Sequence, residues 1–394
     1  MKKIFILILL TIHLFGNNVE MAKDLFDNKE KHKEAIEIFQ KFPDDAESEY
    51  YLGKAYYYGM GVEKDERKAF EYAKKSADKN NSSGLNLLGV IYLDGKYVSK
   101  NEELALNYYN KASNLGNTKA IKNLASMYEN GEYVNQDLKK AKELYQKLID
   151  LSDKDGYLGF ASIYTYHEYN SKEALKYYIR FESHGGKHPN TFQNMAVLYS
   201  ELKNTEKEIE YHRKAAELGN DHSMLVLYDL LQKEENIKYR LNKNEHFDSL
   251  IKSAELGNKD AILEIIYDDE LHKVISDEEL LSWMKKGVDL KLELAYLPLY
   301  LYYLDKNESK NIKEFLEKSY YEDHNIEMGC YLSSYYSNTL IANNYEKENF
   351  VKSYNLANEI ISKHPNNEKI SSCYTSLAYI YRVGTGVEKN KHKA

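Results

Sequence analysis

Small, aromatic and charged residues recur along this chain in three ungapped stretches spaced by 36 residues. Gly53, Gly89 and Ala125 share one column, and Tyr56, Tyr92 and Tyr128 another. The same register aligns Gly59, Gly95 and Gly131; Val62, Val98 and Val134; Ala69, Ala105 and Ala141; and Lys75, Lys111 and Lys147. Within one period the pattern predicts helix, turn, helix. Tyr50 to Tyr58 carries apolar positions at helical spacing, Gly59 ends that helix in the left-handed conformation, and Val62 packs the turn against the core. Asp65, with Asn101 and Asp137 in its column, is placed to cap a second helix that buries Ala69, Tyr72 and Ala73. Counterparts of that helix end at Gly116 and Gly219. A fixed period in this range predicts stacked hairpins, each too small to bury its apolar face alone. The expected fold is all-α, a solenoid of stacked antiparallel helix hairpins, and such an array describes a binding surface rather than a reaction centre.

The glycine column carries its own argument. A mid-helix Gly costs about 1 kcal/mol relative to Ala, so its return at Gly89 implies a close helix contact. Ala125, Ala161, Ala196 and Ala378 fill the same slot, which points to a size limit. On that reading Gly89→Ala should change stability by no more than about 1 kcal/mol, and Gly89→Leu should be severe. Beyond residue 150 the repeat loosens. Tyr164 and Tyr199 keep the tyrosine column, KAAELGN (214–220) and KSAELGN (252–258) mark second-helix ends, Leu231 and Asp269 replace the tyrosine, and Tyr302 and Tyr335 restore it. Residues 17–45 read as N-terminal capping helices, 46–150 as three regular repeats, 151–375 as divergent repeats, and 376–394 as an incomplete terminal repeat. There Leu377, Ala378, Tyr381, Gly384, Gly386 and Val387 reproduce the register and the chain stops inside an expected second helix, as a fragment would.

Leu52, Gly53, Tyr56, Gly59, Gly61, Val62, Lys68, Ala69, Tyr72 and Lys75 resemble the Sel-1-like repeat (SLR) pattern of tetratricopeptide-related α-solenoids. Leu88, Gly89, Tyr92, Gly95, Val98, Ala105, Tyr108, Tyr109, Lys111 and Ala112 match it again, with Tyr97 at the second glycine. The resemblance is strong over 46–150 and 376–394 and weak over 221–350. It implies a scaffold or adaptor, since exported bacterial members of the family bind host or envelope proteins. A cysteine-rich branch, with a Cys pair bridging the helices of each repeat, is associated with penicillin binding and β-lactam hydrolysis; this is the alternative the resemblance implies.

Composition narrows the partner class. Net charge is −8, and Lys and Glu alternate without a basic stripe, so nucleic acid is not an expected partner. The 38 Tyr, against 12 Phe and 1 Trp, suit thin helical layers in which rings pack inward and hydroxyls reach water. Lys2 and Lys3 followed by the apolar run Ile4–Phe15 read as an export signal, residues 1–16, too short for a comfortable bilayer span. The mature chain is then expected in the periplasm or secreted from a bacterium, with no stable membrane span. The two cysteines, Cys330 and Cys373, would have to join neighbouring layers to pair, and both are expected instead as small buried residues.

No catalytic residue, cofactor or metal site is expected. Gly89–Tyr97 lacks the spacing and the Ser or Thr of a phosphate loop, and His184 and His188 lack a third ligand. The expected partner is a protein or peptide, held on a concave face lined by first helices, with Tyr51, Lys54, Tyr58, Asp94, Asn123, Ser126 and Asn130 as candidate contacts. Asp78-Lys79-Asn80-Asn81-Ser82 and Asp305-Lys306-Asn307-Glu308-Ser309 also fit the acidic-extended sequon of some bacterial N-glycosylation systems.

Overall fold

The computed structural model describes residues 18–337 and 347–383. The export-signal residues and the positions Gly384, Gly386, Val387 and Ala394 of the terminal repeat lie outside the described residues. Among those described, every regular element is a helix. The chain divides after Lys187 into two units.

The first unit holds α1 (residues 18–26), α2 (His32–Phe39), α3 (Ala46–Tyr58), α4 (Glu66–Asp78), α5 (Ser82–Asp94), α6 (Glu102–Asn114), α7 (Thr118–Asn130), α8 (Leu138–Asp150), α9 (Asp155–Tyr166) and α10 (Ser171–Ser183). From α3 onward these pair as hairpins, and each second helix also packs on the first helix of the next hairpin. Ala69, Ala73, Ala105, Ala112, Ala120, Ala125 and Ala141 are fully buried at those contacts. Residues before α3 pack a cluster of their own, in which Phe26 and Phe39 meet Leu52 and Ala55.

The helices start at side-chain caps and end in backbone turns. Asp65, Asn101 and Asp137 accept from the backbone N–H groups of Lys68, Leu104 and Lys140, each at 2.9 Å, and so cap the second helices as their column predicted. Asn81 and Asn117 cap first helices in the same way. At the other end, the N–H of Asn117 reaches back to Ala112 and that of Gly116 to Ser113. This paired closure needs a left-handed residue, and φ is +80° at Gly116. Asn80 and Ser152 take the same place in neighbouring hairpins.

The tyrosine column closes the hairpins from within. Tyr56 stacks on Tyr72 with ring centroids 5.8 Å apart, Tyr92 on Tyr108 at 5.6 Å, and Tyr164 on Tyr177 at 5.6 Å. Lysines cover the outer faces, as Lys68 does over Tyr56. The glycine column is indeed a close contact, and at Gly89 it is closer than the column alone suggests. A Cβ there would lie 2.7 Å from Cε1 of Tyr109, a buried ring on the partner helix. The expectation that Gly89→Ala is mild is therefore revised. Ala125 keeps its methyl because the corresponding Tyr145 ring sits instead against Gly159 of the next hairpin.

The second unit holds α11 (Pro189–Glu201), α12 (Thr205–Glu217), α13 (Asp221–Gln232), α14 (Glu245–Glu255), α15 (Lys259–Tyr267), α16 (Asp277–Asp289), α17 (Tyr296–Asp305), α18 (Ser309–Tyr321), α19 (Ile326–Ser337), α20 (Lys347–Lys363) and α21 (Ser371–Val383). Tyr199 and Tyr211 repeat the stack at 5.3 Å. Between α13 and α14 the connection lengthens to residues 233–244, and a cavity of about 540 Å³ opens among α12, α13 and α14. Cys330 on α19 is bonded to Cys373 on α21, with Cα atoms 4.7 Å apart. This corrects the expectation of two unpaired buried cysteines. The bridge joins the first helices of adjacent hairpins, which lie side by side.

Candidate first-helix interface

The first helices α3, α5 and α7 carry all seven candidate residues. A period of 36 places a residue beside its counterpart one hairpin on, and two cross-helix hydrogen bonds use a separation of 37. The Tyr57 hydroxyl donates to Asp94 Oδ2 at 3.1 Å, and Asn123 Nδ2 donates to Asn86 Oδ1 at 3.2 Å. Within α7, Asn130 donates to the Ser126 hydroxyl at 3.2 Å.

The candidates fall into two groups. Tyr58, 58% exposed, and the exposed Ser126 and Asn130 present polar and aromatic surface to solvent. Tyr51, Lys54, Asp94 and Asn123 are half-buried. Tyr51 is stacked on Phe39 at 4.9 Å, and the Lys54 ammonium lies 5.2 Å from the Phe26 ring centroid, so these two brace α3 against the preceding helices. Burial lowers the Lys54 pKa below its usual value, and the like charge of Lys119 on α7 adds to the effect. The Asp94 carboxylate is held below the usual range by the hydrogen bond from Lys96, with that from Tyr57 adding to it.

One polar group of this region was not among the candidates. The Glu129 carboxylate is buried in α7, and it accepts from the Tyr145 hydroxyl and the Ser162 hydroxyl, each at 2.5 Å. His167 Nε2 lies 3.7 Å away. Glu129 thereby ties α7 to α8 and α9, and its burial is made tolerable by these partners. Neither it nor Asn86 nor Tyr57 stands out in one repeat. Pairing polar residues at separations near one period would have found them.

Among the described residues, no group of three or more His, Cys, Asp or Glu side chains is placed to hold a metal ion. His184 Nδ1 lies 2.7 Å from the carbonyl of Arg180 and its ring packs on Tyr157. Nor, among the described residues, is any helix long and apolar enough to cross a membrane.

The Sel1 repeat model matches residues 46–81, 82–117, 118–153, 194–220 and 371–394. No curated protein matches the sequence. The fold is similar to that of a protective antigen present in uropathogenic Escherichia coli strains and displaying an SLR fold. That likeness has a TM-score of 0.55 at 19% identity and covers 91% of this chain and 77% of the antigen. It is similar also to a Sel1 repeat protein from Oxalobacter formigenes, with a TM-score of 0.51 at 23% identity, over 60% of this chain and 99% of that one. The hairpin register and the five matched segments agree: the chain carries Sel1 repeats and folds as an all-α solenoid.

Proposed function

We propose that this protein is an exported, non-catalytic scaffold that binds a protein or peptide partner along the face formed by α3, α5 and α7. The observation that carries this reading is the regular run of first helices. Their cross-helix hydrogen bonds hold a polar row in register and leave Tyr58, Ser126 and Asn130 open to solvent. Rigid, regularly spaced side chains lose little entropy on binding, which suits recognition of an extended partner. Export to the periplasm or beyond is supported by the residue pattern of 1–16 and by the Cys330–Cys373 bond, since disulfides persist in oxidising compartments. The domain organisation that goes with this reading is a leader (1–16), a cap (17–45), three regular repeats (46–150), divergent repeats (151–375) and an incomplete last repeat (376–394).

The β-lactam alternative draws no support from the cysteines. That branch bridges the two helices of one hairpin, whereas the bond here joins α19 and α21 of different hairpins. Replacing Tyr58 by Ala, Ser126 by Arg and Asn130 by Ala together should abolish capture of a partner that the unmodified protein retains from envelope extracts or host-cell lysates. Undiminished capture by the triple variant would place the partner elsewhere, and turnover of a chromogenic cephalosporin would favour the enzymatic alternative.

A further inference from the structure

We propose that Asn80 and Asn307 are acceptor sites for an N-linked glycan, transferred by an oligosaccharyltransferase that requires an acidic residue two positions before the asparagine. The chain contains three Asn-x-Ser triplets, at Asn80, Asn81 and Asn307. Only Asn80 and Asn307 have the acid, Asp78 and Asp305, while Asn81 has Lys79 at that position.

The fold makes the same division independently. Asn81 is half-buried, and its carboxamide is held at both the oxygen and the nitrogen. Its Oδ1 accepts from the N–H groups of Ser83 and Gly84, each at 2.9 Å, and its Nδ2 donates to Glu47 at 2.7 Å. Asn80, one residue earlier, is exposed. So is Asn307. Both occupy the left-handed residue of the same type of helix-ending turn, with φ +57° and +54°. In each turn the asparagine N–H reaches back three residues and the following N–H reaches back five. Exposure at a helix end suits a bulky, solvated glycan. The two acids are exposed as well. Asp78 pairs with Lys74, at 3.1 Å, an exposed ion pair that an enzyme's cation displaces at little cost.

The chemistry is a group transfer. The carboxamide nitrogen forms a bond to the anomeric carbon of a lipid-diphosphate-linked oligosaccharide. The bond from that carbon to the diphosphate oxygen breaks, the lipid diphosphate leaves with the electron pair, and the amide loses one proton. In cells this rests on the export reading, because the acceptor must reach the compartment that holds the transferase.

The test is therefore run twice. The purified, folded chain is incubated with a bacterial oligosaccharyltransferase of this acid-requiring type and its lipid-linked oligosaccharide, beside a control acidic-sequon peptide. The chain is also recovered from cells that carry the same transferase in the periplasm. Intact mass should rise by two glycans, and electron-transfer fragmentation should place them on Asn80 and Asn307 and none on Asn81. Asn80→Gln and Asn307→Gln should each remove one. Asp78→Ala and Asp305→Ala, which leave the left-handed residues untouched, should do the same. An unmodified chain beside a modified control peptide, or a glycan on Asn81, overturns the proposal. Two glycans in the purified reaction but none in cells would uphold these sites and sink the export reading.

Discussion

At Gly89 the place of the missing side chain is taken by the Tyr109 ring. A methyl group there would sit 2.7 Å from a ring that is itself 2% exposed, so something must move. Gly89→Ala should therefore destabilise by roughly 1–3 kcal/mol, overriding the helix-propensity gain of about 1 kcal/mol. Combining it with Tyr109→Ala should cost clearly less than the two changes summed. Urea unfolding followed by circular dichroism measures both, and strict additivity would mean that the two residues do not share the site. The size limit was legible in the Gly and Ala column. Its occupant was not, because Tyr109 comes from the partner helix and the equivalent Tyr145 turns to a different neighbour.

His212 offers a second test at this scale. It is 3% exposed and lies 3.1 Å from the Ser223 hydroxyl, and burial, assisted by His222, pushes its pKa from 6.5 down to about 4. The unfolded chain therefore binds the proton more readily than the folded one, and stability falls as pH drops through the window from about 6.5 to 4. The loss attributable to this group should be about 2 kcal/mol between pH 7 and pH 5. Denaturant midpoints of the wild type and His212→Asn at the two pH values isolate it, and an identical pH response in both would contradict the assignment.

At the scale of elements, helix ends were the most readable part of the chain. Asp65, Asn101 and Asp137 cap as their column predicted, because a cap depends only on a side chain and the next few N–H groups. Asn117→Ala should cost about 1 kcal/mol. Ser152 occupies, at φ +59°, the position that glycine fills in sister turns, so Ser152→Gly should stabilise by about 1 kcal/mol in thermal or urea unfolding. The disulfide was not readable. Cys330 and Cys373 are 43 residues apart, seven more than one period, and α20, with 17 residues where the regular second helices have 13, accounts for four of the seven. Counting along a weakening repeat cannot recover a register that an elongated helix has shifted. Reduction of this bond, or Cys330→Ala with Cys373→Ala, should cost roughly 2–4 kcal/mol. Hydrogen exchange should then quicken in α19 and α21 and stay unchanged in α3 to α8; no change in either region would make the bond structurally idle.

At the scale of the molecule, the repeat specifies an architecture and leaves its use to the residues between the core columns. The period of 36 follows from burial shared between neighbours, so it appears in sequence. Exposed positions obey no such rule, and three of the four candidates on α3 and α5 are committed to packing or to polar contacts. Tyr51 and Lys54 brace α3, and Asp94 is held by Tyr57 and Lys96. Tyr58, Ser126 and Asn130 remain as the open positions on which the scaffold reading rests. Photo-crosslinking through benzoylphenylalanine at these three positions, in cells that make the protein, tests that reading most directly, with Glu71 and Glu103 on the second helices as controls. The account predicts one recurrent protein adduct at the three first-helix positions and none at the controls. Adducts at Glu71 and Glu103 alone, or at no position, would contradict it.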